Sequence, residues 1–403
     1  MGFLMLCMSN NNTIKESLLN LLRLRYIMHA FRPTTTATAL LIGTLVGAGF
    51  LGIPYVTARA GFLSGFIHII VLGVSVCILT LYLAEIALRT KQNHQLAGYA
   101  KKYLGNSGKI FMLISTIGGI YAALMAYLIG QGQSISHIVT GTTQHTVVAL
   151  LAVWIIFAYI THRRASIGKS EVFGVSLMFI LMLIIIVLKA QSIQIENLAT
   201  FSASKALLPF GVILFSFLGF SAIPEMKILL SKHPAKMKSA IIFSYLCAGV
   251  LYAVFTIVVV GTYGLQTPEI ATLALGKIFI ALSIITLSTA YLALTLALID
   301  TLVLDCSLTR KKAWLLSNLV PLALVLLLAS FNKAKFTFII GIGGILSGTL
   351  TALLILAMLP RARRSGDFKS KDKIQAPYSK WIAWLLALLF IGGALAELLL
   401  ILT

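Results

Sequence analysis

Two stretches of matching pattern contain the groups best suited to bind a ligand. Residues 49–54 read G-F-L-G-I-P and residues 219–224 read G-F-S-A-I-P, at a spacing of 170 positions. Glycine and proline interrupt a helix, and each interruption leaves main-chain N–H and C=O groups without helical partners. Such N–H groups favour a carboxylate, and such carbonyls favour an ammonium group. Two breaks that meet would therefore bind both ends of a small zwitterion without any charged side chain.

Both breaks lie inside apolar runs that are long enough to cross a bilayer. The chain of 403 residues is 59% hydrophobic and 11% charged, which is typical of a polytopic membrane protein. The breaks fall in the first and sixth runs, and irregular backbone at this depth is tolerated only where protein or a cavity surrounds it. A span needs about 20 apolar residues, and we predict eleven spans, at 37–60, 62–88, 109–139, 146–162, 170–189, 206–230, 239–263, 276–305, 313–331, 336–359 and 380–402.

The distribution of positive charge predicts the orientation. The formal net charge is +21, and with the N-terminus inside, 26 of the 32 Lys and Arg residues fall on inner segments and six on outer ones. This bias follows the positive-inside rule. We therefore expect a multi-pass protein of the plasma membrane, with a cytosolic tail at 1–36 and the C-terminus outside. The charge then indicates topology, and a nucleic-acid partner is not expected.

The order of the spans predicts an internal repeat. Spans 1–5 (37–190) and spans 6–10 (206–360) each begin with a broken span, and five crossings per unit give the two units opposite orientations. We expect an all-α membrane protein with the five-plus-five inverted repeat of the LeuT type, in which paired broken spans form the binding site. The span at 380–402 is then an extra helix of one domain at 37–403.

Candidate substrate-binding residues surround the two breaks. Tyr127 lies four residues before Gln131, so one face of span 3 can present both. Phe50, Phe215 and Phe220 could wall a pocket for an aromatic or bulky apolar side chain, or could serve as packing alone. The candidates are Thr44, Gly47, Ala48, Gly49, Phe50, Tyr127, Gln131, Phe215, Ser216, Gly219 and Phe220.

These motifs resemble a known family. Residues 43–55 (GTLVGAGFLGIPY) are similar to the first-span signature of the tryptophan/tyrosine permeases, within the wider amino acid/auxin permease group. Residues 215–225 (FSFLGFSAIPE) resemble the sixth span of that family, and residues 289–300 (TAYLALTLALID) resemble its eighth. The resemblance implies a LeuT-type fold and cation-coupled uptake of amino acids.

The resemblance also bears on the coupling ion. Sodium-coupled proteins of the LeuT type form a sodium site from span-1 carbonyls and two adjacent hydroxyl side chains on span 8. The corresponding pair here is Thr289 and Ala290, and alanine offers no oxygen. A hard cation prefers several oxygen ligands, so we expect proton coupling and keep sodium as the alternative. The candidate coupling residues are Val46, Ser288, Thr289, Lys169 and Glu85.

Charged residues near the spans have alternative interpretations. Glu85 lies four residues before Arg89, a spacing that also predicts a structural ion pair at the end of span 2. Lys169, at the start of span 5, could replace a coupling cation or could be a loop charge. Glu225, in the first turn after the second break, and Asp300 are candidate gate residues.

Other functional classes have less support. The sequence contains no filter loop or charged ring typical of a channel and no H-E-x-x-H motif of a metalloenzyme. The first break contains no acid for a metal ion, and the four cysteines form no C-x-x-C pair, so we expect neither metal nor cofactor. We predict a symporter of an aromatic or other neutral, bulky amino acid that works by alternating access. A sodium-coupled symporter and a non-transporting amino-acid sensor are the alternatives.

Overall fold

The computed structural model describes residues 33–162, 180, 183–304, 306–331, 334–368 and 376–402. Across these ranges the regular structure is helical, apart from an isolated bridge between Gly61 and Phe201. The prediction of an all-α, multi-pass membrane protein is confirmed. The predicted tail lies outside the described residues except for its last four positions, and so does Lys169.

Nine candidate spans are present in the described part of the chain. Eight are single stretches, and the ninth consists of two helices joined at a bend of 42°. Span 4 is a shorter helix, Thr146–His162, and the described end of span 5 is Leu183–Ser192. The count of eleven crossings therefore stays a prediction. The eight stretches are Phe62–Arg89, Leu96–Thr140, Phe210–Leu229, Lys236–Gln266, Lys277–Val303, Arg310–Ser330, Phe336–Ser365 and Lys380–Leu400, which we number as spans 2, 3 and 6–11.

Span 1 is broken where its glycines predict. Its first helix, Pro33–Leu45, is followed by a 3₁₀ turn, Ala48–Gly52, and then by a second helix, Ile53–Ala60. Gly47 between them is extended, with φ −83° and ψ −164°. Pro54 lies in the first turn of the second helix, where the absence of its N–H costs nothing. The break therefore precedes the proline by about two helical turns.

Span 6 repeats this order. A first helix, Phe210–Ser216, leads through a 3₁₀ turn, Phe220–Ala222, into a second helix, Ile223–Leu229. Pro224 again lies in the first turn of the second helix. The I-P pair of both motifs thus marks the start of the second half of a broken span, and the glycine-containing segment before it is the interruption.

The two broken spans lie side by side. The first half of span 1 contacts the second half of span 6, and the 3₁₀ turn Ala48–Gly52 contacts the first half of span 6. Spans 8 and 10 also contact this 3₁₀ turn, and span 7 packs against both halves of span 1. The fold therefore brings the two interruptions together inside a layer of continuous helices.

Span 3 begins with a separate short helix. The stretch Leu96–Thr140 turns at Gly105, whose φ of 77° is open to glycine but strained for other residues. Residues 96–104 before this turn are helical. The turn lets the remaining 35 residues, 106–140, run past the breaks as one helix.

Candidate functional site

The two breaks are in direct contact at Gly49. A methyl group added to Gly49 would lie 2.8 Å from the Ser216 hydroxyl oxygen, 3.1 Å from the Phe215 ring and 3.3 Å from the Cα atom of Ser216. The last distance involves backbone, so the neighbouring chain cannot easily give way. Glycine is therefore needed here because the main chains of spans 1 and 6 approach so closely.

The span 1 break presents hydrogen-bond donors. The Val46 N–H donates to the Ile42 carbonyl and the Gly47 N–H donates to the Leu45 carbonyl, each at 2.8 Å. The next N–H groups belong to the first turn of Ala48–Gly52, and Gly47, which precedes that turn, supplies no side-chain cap. The first N–H groups of such a turn need outside partners, and an anion meets that need.

The span 6 break presents acceptors, but tyrosines of span 7 already contact them. The Tyr252 hydroxyl lies 2.6 Å from the Leu45 carbonyl oxygen and 2.9 Å from the Ser216 carbonyl oxygen, so it bridges the two breaks. The Tyr245 hydroxyl donates to the Phe217 carbonyl at 3.1 Å. The sequence predicts carbonyls without hydrogen-bond partners at the breaks. In this conformation, each of these three carbonyls instead has a tyrosine hydroxyl as partner.

These tyrosines were missed by reasoning from the motifs alone. Tyr245 and Tyr252 are seven residues apart, so they lie on one face of a helix. Both are buried, and the Tyr245 hydroxyl also lies 2.7 Å from the Thr80 hydroxyl of span 2. Two tyrosines spaced by two turns in an apolar helix could have indicated this role, because buried hydroxyls need hydrogen-bond partners.

Span 3 supplies the polar side of the site. The Tyr127 hydroxyl is the nearest atom to a methyl group added at Gly47, at 3.5 Å. Gln131, one turn further along the same face, is fully buried. Its Oε1 lies 3.5 Å from the Ser288 hydroxyl of span 8, whereas its Nε2 has no hydrogen-bond partner within the described residues. A buried amide N–H without a partner is costly, so Gln131 remains a candidate donor for a ligand.

The three candidate phenylalanines differ in their surroundings. Phe50 stacks on Tyr252 with ring centroids 6.2 Å apart and meets Phe255 edge-on at 5.3 Å, which is packing against span 7. Phe215 instead lies between Gly49 and Gly343 of span 10, at the meeting point of the breaks. Phe220 is buried in the 3₁₀ turn of span 6.

Hydroxyl candidates near the breaks bond to their own helices. Thr44 donates to the Leu40 carbonyl at 2.9 Å, Ser288 to the Ile284 carbonyl at 2.6 Å, and Thr289 to the Thr286 carbonyl at 2.9 Å. Such bonds are common for Ser and Thr in helices. Val46 is buried, and span 8 contacts the turn Ala48–Gly52. Neither observation identifies the coupling ion.

Glu85 has several partners. The predicted pair with Arg89 is confirmed at 2.9 Å. Arg363, near the end of span 10, donates to both carboxylate oxygens at 2.9 and 2.8 Å, and the Ala376 N–H donates at 3.0 Å. A coupling ion that binds Glu85 would have to displace some of these four donors.

The gate candidates lie at the periphery. Glu225 is exposed in the first turn of the second half of span 6. Asp300 and Arg310 form an ion pair at 3.8 Å, and the Asp300 side chain is 63% exposed, so the pair adds little stability.

A fourth acid, Glu269, connects the loop between spans 7 and 8 to the start of span 10. Glu269 accepts a hydrogen bond from the Phe336 N–H at 3.0 Å. Burial raises the pKa of the Glu269 carboxyl, and the Phe336 N–H, Lys335 and Arg59 partly offset this effect. Arg59 itself lies over the Tyr55 ring of span 1, at 3.6 Å.

The helices and the two interrupted spans in contact define a multi-pass membrane protein. Residues 32–274 match the tryptophan/tyrosine permease family. The chain belongs to this family, and it is therefore an amino acid transporter rather than an enzyme.

Two curated relatives come from Haemophilus influenzae. The chain is 25% identical to tyrosine-specific transport system 1 over 379 residues, which cover 86% of this chain and 91% of that protein. It is 28% identical to tyrosine-specific transport system 2 over 146 residues, which cover 35% of each chain. The similarity to the first relative extends through most of the spans described above.

Proposed function

We propose that the protein imports an aromatic amino acid, with tyrosine as the first substrate to test, across the plasma membrane by proton symport. Its N-terminus is cytoplasmic, its C-terminus is outside, and spans 1–5 and 6–10 form LeuT-type inverted repeats that alternate access. The observation that carries the proposal is the contact between the two breaks at Gly49 and Ser216. Membership of the permease family and the names of both relatives favour the substrate class.

The substrate carboxylate binds at the first turn of Ala48–Gly52. The absence of a side-chain cap at Gly47 leaves the N–H groups of this turn for a ligand, and the positive end of the turn favours an anion. The Tyr127 hydroxyl beside Gly47 is placed to add one further hydrogen bond. These donors need no basic residue, in agreement with the sequence of the break.

The substrate ammonium binds the carbonyls that Tyr252 now contacts. The Leu45 and Ser216 carbonyl oxygens belong to different breaks, yet they share one tyrosine hydroxyl. A hydroxyl carries a single proton, so it fully satisfies only one of them at a time. An ammonium group with three donors serves both, and its arrival frees or supplements Tyr252.

The aromatic side chain lies toward span 3. Phe215, between Gly49 and Gly343, supplies an apolar wall. The unpaired Gln131 Nε2 can donate to a phenol hydroxyl. A site built to hydrogen-bond a hydroxyl rejects the analogue that lacks it by large factors, because its polar group is then left unpaired. Preference for tyrosine over phenylalanine follows from this arrangement.

Proton rather than sodium coupling follows from Ala290, which offers no oxygen beside Thr289. Uptake by purified protein in proteoliposomes tests both the function and the ion. We expect labelled tyrosine to accumulate when the outside is made acidic, and not when only sodium is raised outside. Accumulation driven by sodium alone would overturn the proton assignment. Saturable binding without accumulation would identify an amino-acid sensor and overturn transport.

A thermal-shift screen of the twenty amino acids, with and without sodium, tests the substrate range independently. Specific ligands stabilise the folded state by mass action, by about 2.7 kcal/mol at about 100 times Kd. We expect the largest shift with tyrosine, smaller shifts with tryptophan and phenylalanine, and no dependence on sodium. A largest shift with a small or charged amino acid would contradict the proposed pocket.

A further inference from the structure

Span 11 presents one buried face that ends in an acid. Leu386, Phe390, Ala394 and Glu397 are buried and lie at helical spacing, whereas Trp381 on the opposite side is 81% exposed. Glu397 is only 2% exposed. A carboxyl group buried in an apolar helix is a functional candidate by default, because the ionised form is costly in this environment.

Glu397 contacts the first half of span 6 at main-chain level. The Gly211 N–H, in the first turn of Phe210–Ser216, donates a hydrogen bond to Glu397 Oε2. A methyl group added to Gly211 would lie 2.7 Å from this oxygen and 2.5 Å from the Gly341 carbonyl oxygen of span 10. Three spans therefore meet at Glu397 through close main-chain contacts, so a change at this carboxyl acts directly on span 6.

Glu397 has no basic partner within the part of the chain that the structure describes. Among the ion pairs of the described residues, none involves it. The packed segments 210–216 of span 6 and 336–348 of span 10 contain no titratable side chain. His68 of span 2 meets the Phe210 ring edge-on, with ring centroids 6.4 Å apart, and lines a space with Gly392 and Gly393 of span 11. Lys205 is exposed in the connection before span 6. Removing an unpaired carboxylate from water is unfavourable. Close packing of spans 6 and 10 around Glu397 therefore favours the protonated form of its carboxyl group.

A cavity lies beside the segment of span 11 that contains Glu397. A space of about 360 Å³ is lined by Ala203, Ser204 and Leu207 before span 6 and by Ala396, Leu399 and Leu400 of span 11. Ala396 is the residue next to Glu397. In the proposed orientation the connection before span 6 is extracellular, so this cavity lies on the side from which coupling protons arrive.

We propose that Glu397 is a proton-binding site on the outer side of the transporter, and that its protonation controls the seating of the first half of span 6 against spans 10 and 11. The inference rests on the proposed function. The carboxylate takes up one external proton and becomes a neutral acid, which allows tight burial between Gly211 and Gly341. Loss of that proton favours an arrangement in which the first half of span 6 is separated from spans 10 and 11 and the carboxylate is hydrated.

The competing explanation is structural, since Glu397 also satisfies an N–H at the start of a helix. Glu397→Gln separates the two, because glutamine retains an acceptor oxygen for the Gly211 N–H but cannot titrate. Glu196→Gln is the matched control, since Glu196 is an exposed acid in the connection between spans 5 and 6. Thermal unfolding in detergent checks that both variants fold.

The experiment measures labelled tyrosine in proteoliposomes in two modes. In the first, accumulation is driven by an acidic exterior; in the second, labelled and unlabelled tyrosine exchange at equal pH on both sides. We expect Glu397→Gln to lose the accumulation that the pH gradient drives and to exchange within about twofold of the wild-type rate. Glu196→Gln should behave as wild type in both modes.

Two outcomes overturn the inference; both leave aromatic amino acid uptake standing, and the second also removes the proton coupling from the proposed function. One is Glu397→Gln accumulation with the same dependence on external pH as wild type. The other is wild-type uptake that does not respond to external pH at all. Wild-type protein that neither accumulates nor exchanges any aromatic amino acid contradicts the proposed function itself, and the inference falls with it.

Discussion

The two interrupted spans share a motif but not a conformation. Span 1 bends by 42° across an extended Gly47, whereas span 6 passes its break with Phe217 (φ −92°, ψ 2°) and Gly219 (φ −105°, ψ 12°) in the bridge region between helix and strand. The I-P pair has one role in both, because Pro54 and Pro224 each lie in the first turn of a second helix. The residues before that pair therefore decide how open each break is.

The two breaks also differ in the hydrogen-bonding groups that they present. The span 1 break offers N–H groups with no side-chain cap, while the span 6 carbonyls are contacted by Tyr252 and Tyr245. The N–H groups of one break have no side-chain cap, and the other break shares its acceptors with protein hydroxyls. A repeated motif thus predicts where two breaks lie, while the helices packed around them determine what each can bind.

The strongest test of the donor break is Gly47→Leu. The backbone of Gly47 has a negative φ, so leucine is conformationally allowed, and its side chain extends toward the Tyr127 hydroxyl. We expect loss of the whole ligand-induced stabilisation, about 2.7 kcal/mol at about 100 times the wild-type Kd, with little change in the thermal unfolding of the free protein. Normal ligand shifts in this variant would remove the first break from the site.

The contact between the breaks is tested by Gly49→Ala. The added methyl group meets Ser216 at 2.8 Å and Phe215 at 3.1 Å, so the two spans must move apart. Overpacking costs about 1–3 kcal/mol, and we expect a lower unfolding temperature and weaker tyrosine binding. Gly47→Ala is the matched control, because its methyl group is 3.5 Å from its nearest neighbour and should be tolerated. Equal behaviour of the two variants would contradict the close approach of the two main chains.

The acceptor break is tested by Tyr252→Phe. Removal of this hydroxyl takes the shared donor from the Leu45 and Ser216 carbonyls. We expect a loss of about 2 kcal/mol in the stability of the free protein. Part of this loss should be recovered when tyrosine binds, since the ammonium donates to the same oxygens. A variant that is destabilised equally with and without ligand would argue that the ammonium binds elsewhere.

Tyr245→Phe is the companion variant on the same helix face. It removes the hydroxyl that contacts the Phe217 carbonyl and the Thr80 hydroxyl, away from span 1. We expect a stability loss of similar sign, about 1 kcal/mol, and no recovery on ligand binding.

The smallest effect is expected from Glu225→Gln. The second half of span 6 has this acid in its first turn, whereas the second half of span 1 has none. An acid at a helix N-terminus contributes about 0.3–1 kcal/mol, so thermal unfolding should change slightly. Transport should persist if Glu225 only stabilises the turn, and a strong loss of uptake without loss of stability would make it a gate residue.

Much of this architecture is predictable from sequence because bilayer thickness and glycine-proline chemistry leave few alternatives. The breaks at Gly47 and Phe217–Gly219, the helix at Thr146–His162 and the Glu85–Arg89 pair follow from local pattern. Each depends on contacts within one helix or one turn, where residue type is decisive.

Contacts between distant spans are not predictable in the same way. The Tyr252 bridge joins residues 207 and 36 positions apart, and Glu85 is held by Arg363 and by the Ala376 N–H, both far along the chain. Glu397 lies outside the predicted repeat, yet it contacts Gly211 at the start of span 6. A single sequence gives no register for helices packed side by side, so these residues become visible only in the folded chain.

Binding of L-tyrosine and two truncated analogues tests the central claim most directly. Tyramine lacks the carboxylate, and 4-hydroxyphenylpropionate lacks the ammonium group, while both keep the phenol ring. If the two breaks hold the two ends of the zwitterion, L-tyrosine raises the unfolding temperature of the purified protein and neither analogue does at the same concentration. A shift with either analogue equal to that of L-tyrosine would contradict a main-chain site at the paired breaks.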